Sequence, residues 1–393
     1  MALVKAVLDK RITASAIYQD RLATCTTCLA CEAVCPSGVP VAAIIQAARE
    51  QAVAEAGIGI IKAVIAEVVK RPALFRAAAW LGPAVLHFKQ GPRTRVQGPG
   101  SRVQGQGARV KGQGKSSGFR VRSLKGTGTK GRVAFFPGCA IEHFQPEIGS
   151  ATVTVLTALG YETIIPEGLK CCGRPLLSLG DRRAAEELAA HNAALLARAD
   201  ADVIVTACAS CGLTFKKDYP GLLRRGTKAP AILDIHEFLA GRLAQAALAP
   251  VQRTVTWHDP CHLSRGQGLA NAAREVLRAI PGINLVEMRN ADRCCGFGGV
   301  MRITRRELSD GIVEDKVKSI IATNASVVAT GCPGCRMQIA DALKRKESEI
   351  EVLHTVQVLE EALGIADCPG SCESAGTGGM RIAELEMTGS RGK

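Results

Sequence analysis

The chain has 393 residues, 47% of them hydrophobic, and its formal net charge at pH 7 is +14. This length allows two or three domains, and this hydrophobic fraction is typical of a soluble globular protein. Sixteen cysteines are far above background. The first 20 residues carry charges throughout and no apolar run, so we expect neither a signal peptide nor a disulfide framework. Metal or redox chemistry explains the cysteines better.

Residues 1–90 are predicted to form a helical, ferredoxin-like segment. The stretch CTTCLACEAVCP, residues 25–36, has the C-x2-C-x2-C-x3-C-P spacing of bacterial 4Fe–4S sites. The cysteines predicted to bind a 4Fe–4S cluster there are Cys25, Cys28, Cys31 and Cys35. Residues 52–69 are the most apolar stretch, but three charged residues interrupt them. They are predicted to be a helix of a soluble domain, and no transmembrane segment is expected.

The amino-terminal motif is incomplete by itself. In this pattern the fourth cysteine, here Cys35, usually binds a second cluster, and that cluster's own motif completes the first. No such motif precedes Cys25. Three explanations are open: the chain begins inside a longer reading frame, or Cys368 or Cys372 completes the cluster, or a second iron–sulfur chain completes it or the site is degenerate.

Residues 91–131 are predicted to be a basic, Gly-rich flexible linker. From residue 91 to residue 132 there are 11 basic residues and no acidic one, so removing these 11 charges from +14 leaves +3. The segment contains the near-repeats RVQGPGS, RVQGQGA and RVKGQGK, whose composition cannot bury enough surface to fold. The alternative is a basic arm that binds RNA or anionic lipid. Because Phe119 is the segment's single aromatic residue, we expect no nucleic-acid partner.

The rest of the chain contains two copies of one unit, residues 132–248 and 249–366. Each copy has a single cysteine, then a Cys-Cys-Gly sequence, then a C-x2-C pair. The first copy contains Cys139, Cys171, Cys172, Cys208 and Cys211, and the second contains Cys261, Cys294, Cys295, Cys332 and Cys335. Equivalent cysteines are 122, 123 and 124 residues apart, a recurrence that chance does not explain.

Short apolar runs precede most of these cysteines, for example RVAFF before Cys139 and TVTW before Cys261. Such runs predict buried parallel strands, and the stretches that start at Asp181 and Arg305 have helical periodicity. The fold class is therefore predicted to be α/β, with two tandem pseudo-symmetric cysteine-rich domains. Because parallel strands end at one edge of a sheet, the five cysteines of a copy are expected to converge near the junction of the copies.

An iron–sulfur cluster explains these cysteines better than zinc. A cluster needs thiolates in a fixed cage, and two sulfurs from one turn can bridge the irons of an irregular cluster. The pairs Cys208–Cys211 and Cys332–Cys335 have the spacing of zinc sites. Zinc, however, needs four ligands and does not require a cysteine doublet in both copies. Zinc in one copy stays an alternative.

Particular stretches resemble a known family: CCGFGG at 294–299, CPGCRMQI at 332–339 and CLACEAVCPSGV near the amino terminus. They are similar to the CCG domains of heterodisulfide reductase subunits and of the iron–sulfur subunits of glycolate and lactate oxidases. The resemblance covers residues 132–365 and 20–39. It implies an electron-transfer subunit that is served by a separate FAD-binding dehydrogenase subunit and passes electrons to a quinone or another carrier.

Two departures from the glycolate oxidase pattern qualify this expectation. Glycolate oxidase subunits often lack the first cysteine of each C-x2-C pair, whereas Cys208 and Cys332 are present here. This favours the heterodisulfide reductase type, whose CCG units resemble sites for non-cubane 4Fe–4S clusters. It keeps open a catalytic subunit that reduces a disulfide. The second departure is the missing first ferredoxin motif. A zinc-stapled interaction protein without redox activity is a third hypothesis.

Smaller signals concern the surroundings of the cysteines and the tail. His258 and His262 flank Cys261 and are expected either to ligate metal or carry protons, or to make turn hydrogen bonds. Arginines beside cysteine motifs are expected either to offset cluster charge or to lie on the surface: Arg174, Arg293, Arg302 and Arg336. Residues 367–393 are predicted to be disordered, with free thiols. We expect a cytoplasmic protein that reaches the inner membrane face only through partners.

Overall fold

A computed structural model describes residues 1–85, 123–124 and 130–364. Most of the predicted linker, and the predicted disordered tail with Cys368 and Cys372, lie outside these residues. No helix in the described ranges is long and apolar enough to cross a membrane.

The amino-terminal region is helical, as predicted. Its helices are α1 (Ala2–Leu8), α2 (Ala16–Leu22), α3 (Ala30–Ala33), α4 (Val41–Ala56), α5 (Ile60–Lys70) and α6 (Pro72–Val85). The prediction of one helix over residues 52–69 is wrong. Gly57 and Gly59 have φ values of +76° and +73°, a left-handed conformation that ends α4 and starts a new helix.

The first α/β unit follows. Its strands are β1 (Ser123–Leu124), β2 (Arg132–Phe135), β3 (Glu162–Ile164), β4 (Val203–Thr206) and β5 (Ile232–Asp234). Its helices are α7 (Gly138–His143), α8 (Pro146–Ala158), α9 (Arg174–Leu179), α10 (Arg182–Leu196), α11 (Ala209–Leu213), α12 (Tyr219–Leu222) and α13 (Ile235–Leu239), with a π-helical turn at Thr214–Asp218. β1 comes from the segment predicted to be a linker and pairs antiparallel with β3.

The second α/β unit repeats this arrangement. Its strands are β6 (Arg253–His258), β7 (Ile283–Val286), β8 (Val327–Thr330) and β9 (Glu351–His354). Its helices are α14 (Cys261–Gln267), α15 (Ala272–Arg278), α16 (Met301–Thr304), α17 (Arg306–Ile321), α18 (Pro333–Arg345) and α19 (Thr355–Ala362).

Both units have the same parallel sheet. The strand order is β3-β2-β4-β5 in the first unit and β7-β6-β8-β9 in the second, and neighbouring strands in these runs are parallel. In each unit the second parallel strand in sequence lies on one side of the first, and the remaining two lie on its other side. A topological switch point therefore lies between β2 and β4 in the first unit and between β6 and β8 in the second. Open α/β sheets bind ligands beyond the carboxyl ends of strands at such points.

The units pack on each other and on the amino-terminal helices. One continuous hydrophobic core runs through both units and reaches Ala66 and Val69 of α5. At the junction, Gln145 Nε2 donates a hydrogen bond to the Pro333 carbonyl at 2.9 Å. Arg49 of α4 donates to the carbonyls of Leu22 and Cys25, which anchors the loop that carries the amino-terminal cysteine motif.

Candidate metal centre

The first cysteine cluster consists of the five cysteines of the first unit, all beyond the carboxyl ends of its strands. Cys139 lies in α7 after β2, and Cys208 follows β4. The doublet Cys171 and Cys172 lies on the loop between β3 and α9. The Sγ atoms of Cys139 and Cys171 are 3.4 Å apart, and Cys172 is hydrogen-bonded to both Cys171 and Cys211.

The second cysteine cluster consists of the equivalent five cysteines of the second unit. Cys261 is the first residue of α14, and Cys332 immediately precedes α18. The Sγ atoms of Cys295 and Cys335 are 3.4 Å apart, and Cys294 is hydrogen-bonded to Cys261. The side chains brought together by each sheet are therefore those that the repeat predicts.

The two clusters meet at the junction of the units. The thiol of Cys332 is hydrogen-bonded to that of Cys208, and Ser210 Oγ lies 3.8 Å from Cys332 Sγ. Ten sulfurs, seven of them on buried cysteines, thus form a continuous array that crosses the junction.

Hydrogen bonds within the array lower the pKa of particular thiols. Hydrogen bonds from Cys171 and Cys211, with further help from the charge of Arg174, hold the pKa of Cys172 well below its usual range. Hydrogen bonding with Cys294 and Cys335 does the same for the pKa of Cys295. Thiolates are the form in which cysteine binds metals. The same hydrogen bonds raise the pKa of Cys211 and Cys335, so within each pair the doublet cysteine is the one that favours the thiolate.

Glycines shape the space around the sulfurs. A Cβ on Gly138 would lie 2.8 Å from Cys211 Sγ, and one on Gly296 would lie 2.6 Å from the Ser309 carbonyl oxygen. Both glycines have positive φ values. A side chain at Gly138 would therefore enter the space beside Cys211, and one at Gly296 would push the doublet loop away from α17.

The amino-terminal motif contacts the second cluster. Cys28 is hydrogen-bonded to Cys294, and this bond raises the pKa of Cys28. Thr26 Oγ1 lies 3.8 Å from Cys294 Sγ, although the two residues are 268 positions apart in sequence. Arg265 donates a hydrogen bond of 3.4 Å to the Cys28 carbonyl. Packing between distant segments thereby adds an amino-terminal sulfur to the second cluster.

The other cysteines of this motif are more accessible. Cys31 is exposed, and Cys25 and Cys35 are half-buried. The backbone N–H of Val39 donates to Cys35 Sγ at 3.5 Å, and this bond, with those from Ser37 and Gly38, lowers the pKa of Cys35. Backbone N–H groups that point at a sulfur stabilise a thiolate.

All four flanking arginines have carboxylate partners. Arg293 pairs with Asp315, and Arg336 pairs with Glu147 of the first unit. Buried Arg302 is held by Asp341 at 2.6 Å. Arg174 pairs with Asp218 at 2.7 Å and is also the arginine whose charge lowers the pKa of Cys172.

The histidines beside Cys261 have different environments. His262 Nδ1 is hydrogen-bonded to Ser210 Oγ at 2.9 Å, and its Nε2 is 3.4 Å from the Thr27 carbonyl. This arrangement connects both units to the amino-terminal motif. His258 is fully buried at the end of β6, and neither of its ring nitrogens has a hydrogen bond of normal geometry.

Two buried polar groups were missed by the sequence analysis. Lys316 of α17 donates to the carbonyls of Asn290 and Ala291. Burial lowers its pKa to about 8, although the nearby thiolates of the second cluster act in the opposite direction. The 124-residue offset could have drawn attention to Lys316, because it places this residue opposite Asn192, which donates to the Cys171 carbonyl.

The second missed group lies at the strand ends below the junction. His236 Nδ1 is 2.6 Å from Asp234 Oδ1, and the ring of His236 packs 5.7 Å from that of His354, centroid to centroid. All three residues are fully buried. Asp234 and His354 end the strands β5 and β9, and His236 lies in α13. The sequence analysis predicted neither of these two strands.

Comparison with known proteins agrees with this geometry. The family model of the CCG cysteine-rich domain matches residues 133–216 and 255–340. Lactate utilization protein A from a Geobacillus species is 33% identical over 237 residues, which are 58% of this chain and 98% of that protein. The chain belongs to the CCG cysteine-rich family. The two matches correspond to the two α/β units, so the predicted family resemblance is confirmed.

Other CCG proteins match more or less of the chain. The probable glycolate oxidase iron–sulfur subunit of Bacillus subtilis is 29% identical over 397 residues, which are 93% of this chain and 87% of that protein. A component of the dihydromethanophenazine:CoB–CoM heterodisulfide reductase of Methanosarcina barkeri is 35% identical over 248 residues, 60% of each chain. Of several relatives that are 35% to 38% identical, this chain spans only about half the length.

The described residues fit an iron–sulfur group. The donor set of each CCG unit is five free thiols that lie beyond the strand ends, with the doublet between the other sulfurs. A tetrahedral zinc ion uses four ligands, so a five-sulfur set exceeds what one such ion takes. The names of relatives are those of oxidoreductase subunits and include an iron–sulfur subunit.

Proposed function

We propose that this CCG protein is an iron–sulfur electron-transfer subunit of a flavin-linked 2-hydroxy-acid dehydrogenase, acting on glycolate or lactate. In this proposal an FAD-binding partner subunit oxidises the substrate, and this chain passes electrons to a quinone or another carrier. The observation that carries the proposal is the continuous array of candidate ligands. It runs from Cys28 through the second cluster, across the Cys332–Cys208 contact, into the first cluster.

The chain's residues would supply the ligands, burial and charge. The ten CCG cysteines would hold iron–sulfur groups, for which the non-cubane 4Fe–4S type is our candidate, and Cys25, Cys28 and Cys31 would hold a 4Fe–4S cluster. When bound, these groups supply one-electron oxidation and reduction. Direct contact between Cys28 and Cys294 keeps successive groups close, which favours transfer along the array. The proposal also draws on the glycolate oxidase relative, which matches almost the whole chain.

A second candidate function is a catalytic subunit that reduces a disulfide. The supporting observation is the Cys208–Cys332 contact, because both residues are the first cysteines of intact C-x2-C pairs. The similarity to the heterodisulfide reductase component, which covers 60% of this chain, also supports this candidate. In this case a disulfide would receive two electrons and two protons from the metal groups and the solvent, and would yield two thiols.

Anaerobic purification of the full chain, followed by iron, acid-labile sulfide and zinc counts and by EPR spectroscopy, tests the proposal. We expect iron and sulfide in comparable amounts and EPR signals on reduction with dithionite. Zinc without sulfide would contradict both redox functions. Double substitution Cys171→Ser with Cys295→Ser is a matched control that should lower both counts, because it removes one doublet sulfur from each unit and keeps every cysteine of the amino-terminal motif.

Addition of thiols and of substrate separates the two candidate functions. A new EPR signal that appears when a thiol is added to the oxidised protein would favour disulfide reduction. Reduction of the EPR-active groups by glycolate or lactate, in the presence of a copurifying flavoprotein, supports the 2-hydroxy-acid function. Reduction by neither acid in that complex would contradict it.

A further inference from the structure

The imidazole of His258 lies among the sulfurs of the second cluster. A ring nitrogen of His258, Cys295 Sγ and Cys335 Sγ all lie within 4.8 Å of one another, and all three residues are buried. This is a distance at which three ligand atoms can share one metal ion or two bridged ions. His258 is thus placed as a member of the cluster and not merely beside it.

The ring nitrogens of His258 lack the partners that buried polar atoms normally have. The side chain is 0% exposed, and neither Nδ1 nor Nε2 has a hydrogen bond of normal geometry, although the Ala291 backbone lies near the ring. A buried polar atom without a partner is costly, so native structures seldom retain one without a function. His262, which follows in α14, differs in this respect because both of its nitrogens have oxygen neighbours.

The backbone beside the ring suits metal binding. The Ala291 backbone lies within hydrogen-bonding reach of the His258 ring. Histidines that bind metals usually donate their other N–H to such a group.

The equivalent position of the first unit is occupied by a phenylalanine. With the 122-residue offset, His258 corresponds to Phe136, whose ring packs against that of Phe215 with centroids 4.8 Å apart. The cysteines and the strand order are the same in both units, so the replacement changes the donor set and leaves the scaffold intact. Phenylalanine fills this position in the first unit, so packing alone does not require a histidine in the second.

We propose that His258 is a nitrogen ligand of the metal group at the second cysteine cluster. The two CCG sites then differ in kind: the first binds its group through thiolates alone, and the second through thiolates and one imidazole. His258 adds a neutral nitrogen ligand to the five thiolates and replaces none of them, because all five cysteines recur in the second unit. The identity of the metal group as iron–sulfur rests on the proposed function, whereas ligation by His258 can be tested for either metal.

Pulsed EPR of protein labelled with ¹⁵N-histidine tests the ligand directly. Anaerobically purified full chain is reduced with dithionite, and the ¹⁵N hyperfine coupling of the second-site signal is recorded. We expect a resolved coupling in the wild type and its loss in His258→Phe, which introduces the residue of the first unit. His262→Gln is the matched control and should retain the coupling. A wild-type second-site signal without ¹⁵N-histidine coupling, or a coupling that persists in His258→Phe, would overturn the proposal.

X-ray absorption at the metal edges keeps the proposal testable if the variant fails to fold or the metal is zinc. The wild type is measured at the iron or zinc edge, whichever its metal count selects. With zinc, a nitrogen scatterer at about 2.0–2.1 Å beside sulfur at about 2.3 Å supports His258 ligation while the iron–sulfur function fails. Sulfur scatterers alone, or a purified chain that contains neither metal, would overturn the proposal.

Discussion

The two CCG units have the same strand order and equivalent cysteines, yet their buried surroundings differ. Where the first unit has Phe136 and Asn192, the second has His258 and Lys316. Both Asn192 and Lys316 donate to carbonyls of the loop that carries the doublet. The scaffold thus sets where the sulfurs lie, and the residues around them set the charge and the ligand type. The duplication need not have produced two equivalent sites.

The units differ also in what they contact. Within the described ranges, Cys28 of the amino-terminal motif lies against Cys294 of the second cluster. The first cluster has instead the Arg174–Asp218 pair beside Cys172. An ion pair has little net charge, whereas Lys316 is bound by neutral carbonyls. Lys316 therefore brings to the second cluster a buried positive charge that Asn192 does not bring to the first.

The largest effect is expected from removing the central sulfur of either cluster. Cys172→Ser should remove the metal group of the first unit, and Cys295→Ser should remove that of the second. Each of these cysteines is hydrogen-bonded to two other cysteines of its own unit. Iron and sulfide counts on each variant should fall by similar amounts while the other unit's EPR signal is retained. Loss of all CCG iron in either single variant would mean that one group is shared across the junction.

The doublet glycines should respond unequally. Both have positive φ values, +94° for Gly173 and +85° for Gly296, which cost an alanine roughly 1–2 kcal/mol. At Gly296 an added Cβ also meets the Ser309 carbonyl oxygen at 2.6 Å, whereas at Gly173 the nearest atom is 3.5 Å away. We expect Gly296→Ala to lower the free energy of unfolding by about 3 kcal/mol or more, and Gly173→Ala by about 1–2 kcal/mol.

Urea denaturation of both glycine variants, in the same anaerobic buffer, measures this difference. The wild type provides the reference midpoint. Equal urea midpoints for the two variants would contradict the prediction. They would show that the second unit accommodates the added Cβ beside the Ser309 carbonyl as easily as the first unit accommodates the one at Gly173.

A moderate effect is expected from neutralising Lys316. Lys316→Met removes a buried positive charge near Cys295 and Cys335, whose negative charge partly opposes the lowering of the Lys316 pKa by burial. The reduction potential of the second site should fall by roughly 50–100 mV, for a unit charge at about 10 Å and an effective dielectric constant of about 20. Asn192→Leu in the first unit is the neutral control. EPR-monitored redox titration measures both reduction potentials. An equal shift of the second site in Lys316→Met and of the first site in Asn192→Leu would contradict a charge effect.

The smallest effect is expected where Arg265 holds the amino-terminal motif. Arg265 donates to the Cys28 carbonyl and pairs with Asp292, which is more than half exposed. Such partly exposed pairs contribute about 0–1 kcal/mol. Arg265→Met should therefore leave the thermal midpoint within a few degrees and raise hydrogen exchange in residues 25–35. Unchanged exchange there would mean that Arg49 and Thr26 alone position the motif.

Much of the fold follows from local patterns. The runs before the cysteines are rich in β-branched residues and form β2, β3, β4, β6, β7 and β8, as predicted. The strands β5 and β9 were missed because no cysteine motif follows them, and the predicted strands were recognised as apolar runs that precede cysteines. Local periodicity also joined α4 to α5, where two glycines separate them.

The site was predictable in its cysteines but not in its surroundings. The repeat places five sulfurs together because equivalent strand ends meet at one edge of a sheet. The contact between Cys28 and Cys294 depends on packing between distant segments, which no local pattern encodes. Lys316 lies in a stretch of charged residues, EDKVKS, that is typical of an exposed helix face. Only the comparison of the two copies indicates that its position is buried.

The claim that two scaffolds of the same topology hold inequivalent metal groups is tested most directly by one titration. Full chain enriched in ⁵⁷Fe is purified anaerobically and followed by Mössbauer spectroscopy as the potential is lowered. We predict two CCG-site components that are reduced at different potentials, with the higher one absent from Cys295→Ser and the lower one absent from Cys172→Ser. A single component that titrates at one potential, and falls by half in each variant, would contradict the account.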